Sequence, residues 1–431
     1  MEHVEGVVLT LLLVGLLMWL VVMRLRRTRP QLAVGLPLAV AFGLRLMAIA
    51  GISATGLEAA LRGGDETTFL DAARFLANQP LGHGYFPHGA YQLHVVLFAL
   101  ELKLGFLTVG AMRIVQVGIA LTGVILILAV VYDFAGGRAA RLAAWIFAFE
   151  PASIFFDSAL HKDPNMELAA GLVVFGGAWI WRRLDIRGVL ICALGGFIAV
   201  ETRAYAGWFL VAAAVLLTLH AALRNIDRPL RAMPVIYGVI AVIFVVTPVL
   251  LQLSSKQSLQ KLQVSQNANA TGAGESSGGP GAANGDNLAL EQVDFSTRGQ
   301  IIKNLPKRIR DLILEPYPWR LHDTSQRFGA LGTLIAYAIL VLLIRYAWSN
   351  RGEVFARAGP ALYPLFFLLV AYSLSVGNAG TGFRYRTHLV TLAVAAMAIL
   401  REHARRARAT DVVPAPGRDT ADRVDPLPSA V

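Results

Sequence analysis

The chain is poor in cysteine and poor in charge. Its one cysteine in 431 residues, Cys192, lies inside an apolar run, which excludes an intramolecular disulfide and a thiolate metal cluster. Only 16% of residues are charged against 56% hydrophobic, and mean hydropathy is +0.57. A water-soluble globule cannot hide that much apolar side chain. Acid is the scarcer sign, 28 residues against 39 basic ones, for a net charge of +11. The basic residues fall in short clusters between apolar runs, which is the pattern of cytoplasmic loops and implies no nucleic acid. A Walker loop, an HExxH pair and a CxxC pair are all missing. Their absence argues against an ATPase and a zinc protease.

What is present is a recurring apolar run. Residues 6–23, 31–51, 113–132, 139–156, 164–181, 188–200, 205–223, 233–253, 328–347, 360–376 and 388–400 give about eleven candidate spans. Most approach the roughly 20 residues needed to cross a hydrocarbon core of about 30 Å. The first run has acids before it and no small-residue cleavage site after it, so it is expected to stay as a helix and not to serve as a signal peptide. Parity then collects residues 24–29, 138–141, 182–187, 224–231, 345–357 and 401–408 on one side, and all are rich in arginine. The positive-inside rule makes that side cytoplasmic, with the N-terminus outside and the C-terminus inside. The expected fold is an all-α polytopic transmembrane bundle.

Residues 91–107 are apolar but carry His94, Glu101 and Lys103, and counting them as a span would reverse every later basic loop. They read as a helix lying in the membrane surface. Just upstream, Phe69, Ala72, Ala73 and Leu76 share a helical face within residues 67–77, so the external loop 53–112 is expected to be structured. The organisation that follows is an extra span and basic loop at 1–30, a core at 31–253, an external loop at 254–327, the three C-terminal spans at 328–400 and a cytoplasmic tail at 401–431. Residues 265–287 have the Gly, Ser and Asn composition of a flexible linker. The sequon Asn269-Ala270-Thr271 inside it is too short a pattern to carry weight. Lys307, Arg308 and Arg310 lie on a basic amphipathic stretch running into Pro316, Tyr317, Pro318 and Trp319, and read mainly as surface anchors.

Ionisable residues at a bilayer are costly and mark function, and here they gather at the external helix ends. Asp65 and Glu66 follow two glycines, either as N-cap and first-turn acid of the 67–77 helix or as a carboxylate poised as general base. Lys162 and Asp163 share a short turn before Pro164; Asp163 is a natural N-cap and Lys162 an anchor, yet both face the loop that holds Asp65. Asp157 and His161 are weaker candidates beside them. Arg203 lies in a long apolar stretch, either paired with Glu201 or free to grip phosphate oxygens bidentately. Arg384 and Arg386 sit among glycines; on an extended backbone they would point to one side with Tyr385 opposite, as headgroup anchors or as an anion site.

Taken together these residues resemble the GT-C superfamily of polyprenyl-phosphate-dependent membrane glycosyltransferases. More narrowly, they are similar to bacterial relatives of the protein O-mannosyltransferase and lipid A aminoarabinose transferase families. The resemblance rests on Gly64-Asp65-Glu66 early in the first external loop, the surface helix after it, and the RAAR run at 138–141. It continues with Pro151, Lys162 and Asp163, then Arg203, then the late turn "GNAGTGFRYR" at 377–386. It covers roughly residues 40–400.

The family implies inverting transfer of a sugar from a polyprenyl-phosphate donor to a glycan, lipid or protein acceptor. The reaction would take place on the periplasmic side of a bacterial inner membrane. On this chain Asp65, or Glu66 beside it, would be the general base, and Lys162, Arg203, Arg384 and Arg386 would hold the lipid phosphate. Asp163, His161 and Tyr385 would be secondary. Asp65 and Asp163 could share a divalent cation, but two carboxylates from distant segments specify no metal. The first span lies upstream of the family's usual start. Two alternatives stay open: an O-antigen polymerase or ligase-like enzyme, which should need no early loop carboxylate, and a lipid or sugar transporter, whose polar groups should lie near mid-membrane.

Overall fold

A computed structural model of the chain describes residues 2–55, 58–82, 84–85, 92–105, 108–227, 233, 235–240, 260, 263–264, 290–291, 293–317, 319 and 324–411. The expected span at 233–253 lies largely outside these residues. The linker at 265–287, its sequon and the last twenty residues of the tail lie wholly outside them. The described helices are α1 (Glu2–Thr28), α2 (Gly35–Thr55), α3 (Glu58–Ala77), α4 (Leu93–Lys103), α5 (Val109–Ala135), α6 (Gly137–Ala148) and α7 (Pro151–Phe156). They continue as α8 (Asp163–Arg183), α9 (Ile186–Thr202), α10 (Ala204–Arg224), α11 (Arg298–Leu314), α12 (Thr324–Ser349), α13 (Val354–Ser375) and α14 (Ala379–Asp411). No sheet forms among the described residues. Six helices, α1, α2, α5, α10, α12 and α13, contain stretches long and apolar enough to cross a membrane.

Close helix approach is written in glycine. A Cβ on Gly123 would run into the α8 backbone at Glu167, and one on Gly171 would run into Gly123, so α5 and α8 touch backbone to backbone. Gly176 and Gly188 do the same for α8 and α9, where a Cβ on either would sit 2.6 Å from the other's carbonyl oxygen. Small residues at crossing points replace a hydrophobic driving force that lipid does not supply.

The helix ends gather on two opposite faces. On one, Arg29 holds Asp133 through Nε at 2.8 Å and Nη2 at 2.6 Å, Arg406 donates to the Ala135 carbonyl at 2.6 Å, and Trp181 donates to Ala356 at 3.3 Å. This basic face joins the ends of α1, α5, α8, α13 and α14. On the other face Arg113 meets Glu66, Arg203 meets Asp163, and Tyr205 meets Tyr385. Helix α4, at 11 residues, is too short to span and packs its Val95, Val96, Phe98 and Ala99 against Leu70, Ala73 and Leu76 of α3.

Several local expectations are corrected. Helix α3 starts at Glu58, so Asp65 and Glu66 lie two turns inside it and not at its N-cap. The run at 139–156 is broken between α6 and α7, because Pro151 lacks an N–H and drives Glu150 to an extended backbone, φ −72° and ψ 111°. The Glu150 carboxylate then caps α7 at Ala152 N, 3.2 Å away. Residues 384–386 are helical, because Asn378 Oδ1 accepts from Thr381 N at 2.7 Å and starts α14 just ahead of them. Arg308, expected at the surface, is 1% exposed and lies 3.6 Å from Asp311.

Candidate functional site

Asp163, 1% exposed, opens α8 and is the hub of the face opposite the basic one. Arg203 reaches it from the junction of α9 and α10, Nη2 to Oδ1 at 3.4 Å. Arg384 reaches it from the first turns of α14, bonding Oδ2 through Nε. His388, one turn further along α14, places Nε2 3.1 Å from the Asp163 carbonyl oxygen and Nδ1 3.0 Å from the Tyr372 hydroxyl. A carbonyl can only accept, so Nε2 carries the proton, and in the neutral ring Nδ1 accepts from Tyr372.

An aromatic wall completes this side. The Arg203 guanidinium lies 4.7 Å from the Tyr385 ring centre and 5.9 Å from that of Tyr372, and those rings stack at 4.6 Å. Tyr205 donates to the Tyr385 hydroxyl at 2.8 Å. Although Arg203 is only 6% exposed, its Nη1 has no hydrogen-bond partner among the described residues. A buried guanidinium N–H left without an acceptor points to an anion or water that belongs there.

Lys162 stands next to Asp163 and carries its Nζ 5.1 Å from the ring centre of Phe69, one turn after Asp65 in α3. Behind Phe69 lies His94 of α4, edge-on at 4.5 Å, fully buried, with neither ring nitrogen partnered among the described residues. Burial, reinforced by the nearby cations of Lys162, Arg203 and Arg384, pushes its imidazole well below the usual histidine range, so His94 is neutral at pH 7. The site thus brings three cations, Lys162, Arg203 and Arg384, to one end of the bundle, and two of them, Arg203 and Arg384, bond the carboxylate of Asp163. Such a set can hold a phosphate and stabilise charge that develops on a leaving oxygen.

The residues singled out from the sequence divide in their placement. Lys162, Asp163, Arg203, Arg384 and Tyr385 come together, while His161 is buried beside them with its ring 6.3 Å from Phe156. Arg203 pairs with Asp163 and not with Glu201. Glu66, 6% exposed, is taken by Arg113 at 2.7 Å. The backbone of Asp65 is helical, and its side chain lies outside the described set.

Arg386 leaves the cluster, since two residues along an α-helix is a turn of about 200° and not the zero net rotation of a strand. It instead donates to Thr333 Oγ1 at 3.1 Å and to the Glu315 carbonyl oxygen, and is 4% exposed. Sequence reasoning missed His388, Tyr372, Tyr205 and His94. The signals were there: His388 follows Arg384 by one turn, and His94 is the residue that spoils residues 91–107 as a span.

Among the described residues no group of three or more His, Cys, Asp or Glu is placed to hold a metal ion. Compared with family models, with curated proteins and with solved structures, the chain matches none.

Proposed function

We propose that the chain is an inverting glycosyltransferase that takes a sugar from a polyprenyl-phosphate donor and passes it to an acceptor hydroxyl on the external face of the membrane. The observation that carries this reading is the convergence of Arg203 and Arg384 on one buried carboxylate at a helix-end face, with Lys162 beside it and Arg203 Nη1 left without an acceptor among the described residues. A lipid-linked donor presents its phosphate at that depth, and a transporter should instead place its polar groups at mid-membrane.

In this scheme the N-terminus is outside, the C-terminus inside, and about eleven spans carry the site on the periplasmic side of a bacterial inner membrane. Asp65 takes the acceptor proton as the oxygen attacks the anomeric carbon from the face opposite the phosphate. The bond from that carbon to the phosphate oxygen breaks, and the electron pair leaves on the phosphate, where the cations receive it. Glu66 is held by Arg113, which favours Asp65 as the base. The test is turnover with a polyprenyl-phosphate sugar. Asp65→Asn should lower it by at least the roughly 100-fold typical of general-base loss, with the elution profile of the folded protein unchanged. Full activity in both Asp65→Asn and Glu66→Gln would refute the mechanism.

A further inference from the structure

The basic face holds a second feature, far from Asp163. A cleft of about 490 Å³ opens where α1, α5 and α8 end and α9 begins. Since α8 runs 21 residues from Asp163 to Arg183, the cleft lies roughly 30 Å from the proposed transferase site. Its floor is Arg29, 8% exposed, bonded to Asp133 and lying 5.7 Å from the Phe175 ring centre. Tyr132 and Trp179 line it, and Arg182, Arg183 and Arg187 complete it.

The charge does not balance. Asp133 already holds Arg29 at 2.6 Å and Arg182 at 3.6 Å. Asp185 accepts from its near neighbour Arg187 N at 2.9 Å and so caps α9. Arg183 and Arg187 are exposed, and neither has an ion-pair partner among the described residues. Four guanidinium groups therefore share two committed carboxylates, in a cleft whose volume lies within the roughly 300–1,000 Å³ of ligand pockets. The positive N-terminal end of α9 opens at the same place. Aromatic rings beside arginines at the end of a membrane bundle are also the composition that meets lipid headgroups.

We propose that this cleft binds the phosphate diester of an anionic phospholipid in the leaflet next to the basic face. The phosphate would sit between Arg183 and Arg187, with Trp179 and Tyr132 against the glycerol.

The experiment is native mass spectrometry of the full chain released from nanodiscs of mixed phosphatidylglycerol and phosphatidylcholine, with and without millimolar inorganic phosphate. The expected result is selective retention of phosphatidylglycerol by the wild type, reduced about tenfold or more in Arg183→Gln/Arg187→Gln. The control is Arg26→Gln/Arg27→Gln, which removes the same charge from exposed residues of the same face outside the cleft, and should retain the lipid. Retained inorganic phosphate that displaces the lipid in the wild type but not in the cleft variant would keep the anion site and make free phosphate its source. Equal retention of the two lipids, or equal loss in both double variants, would overturn the proposal, the latter by reducing the effect to general surface charge. Neither outcome bears on Asp163, since none of the altered residues lies near it.

Discussion

Asp163 is where most of the site's geometry meets, and its removal has a defined consequence. Asp163→Asn keeps the side-chain volume but removes the carboxylate that both Arg203 and Arg384 bond, and breaking a buried pair such as Arg203 with Asp163 costs about 3–5 kcal/mol. Thermal unfolding in detergent should therefore show a lower midpoint for Asp163→Asn than for the wild type. An unchanged midpoint would mean that the two arginines do not depend on Asp163. At the same scale the structure separates two arginines that the sequence made look equivalent. Arg384 bonds the hub, whereas Arg386 bonds Thr333 and the Glu315 carbonyl oxygen. The lone charges at helix ends, Lys162, Asp163, Arg203 and Arg384, were legible because any ion there stands out against apolar neighbours. His388, Tyr372 and Tyr205 were not, since histidine and tyrosine within an apolar helix look like ordinary core until a partner across the bundle is known.

At the scale of elements, α3 and α4 form a small layer of their own, and Glu101 gives it a pH dependence. Burial pushes the Glu101 carboxyl up to about 8 from an ordinary 4.5, and its Oε2 has no partner among the described residues. The folded state thus holds this proton more tightly than the unfolded state. The contribution of Glu101 to stability is complete below pH 4.5 and is lost as pH rises through that value toward 8. Thermal midpoints measured from pH 5 to 9 should fall in the wild type and fall less in Glu101→Gln; parallel curves would contradict this placement. The contact of α5 with α8 makes a second prediction. Gly171→Val must push the helices apart at Gly123, with overpacking of about 1–3 kcal/mol or more, read as a lower midpoint.

Element identity was largely legible, because long apolar runs admit few alternatives. Element ends were not. Gly63 and Gly64 stand just ahead of the start expected for the 67–77 helix, yet the helix-favouring residues Glu58 to Arg62 carry α3 through them. The glycines at 380 and 382 looked like a bare turn, yet the Asn378 cap makes them the first turn of α14.

At the scale of the whole molecule, two opposed faces divide the chemistry: one rich in arginine and carrying the cleft, the other holding the Asp163 cluster. The proposed sidedness can be read with introduced cysteines, because the native Cys192 is buried. A membrane-impermeant maleimide added outside should label Ser296→Cys and spare Arg138→Cys, both positions being exposed. The reverse pattern would turn the molecule over and remove the cluster from the external face.

The proposal stands most directly on whether that cluster grips a lipid phosphate. Polyprenyl-phosphate affinity should be measured in nanodiscs for the wild type and for Arg203→Lys, Arg384→Lys and Arg386→Lys. An ammonium keeps the charge and loses the planar fork, so the first two substitutions should weaken binding about tenfold while Arg386→Lys binds like the wild type. Wild-type affinity in all three, or loss confined to Arg386→Lys, would contradict the site described around Asp163.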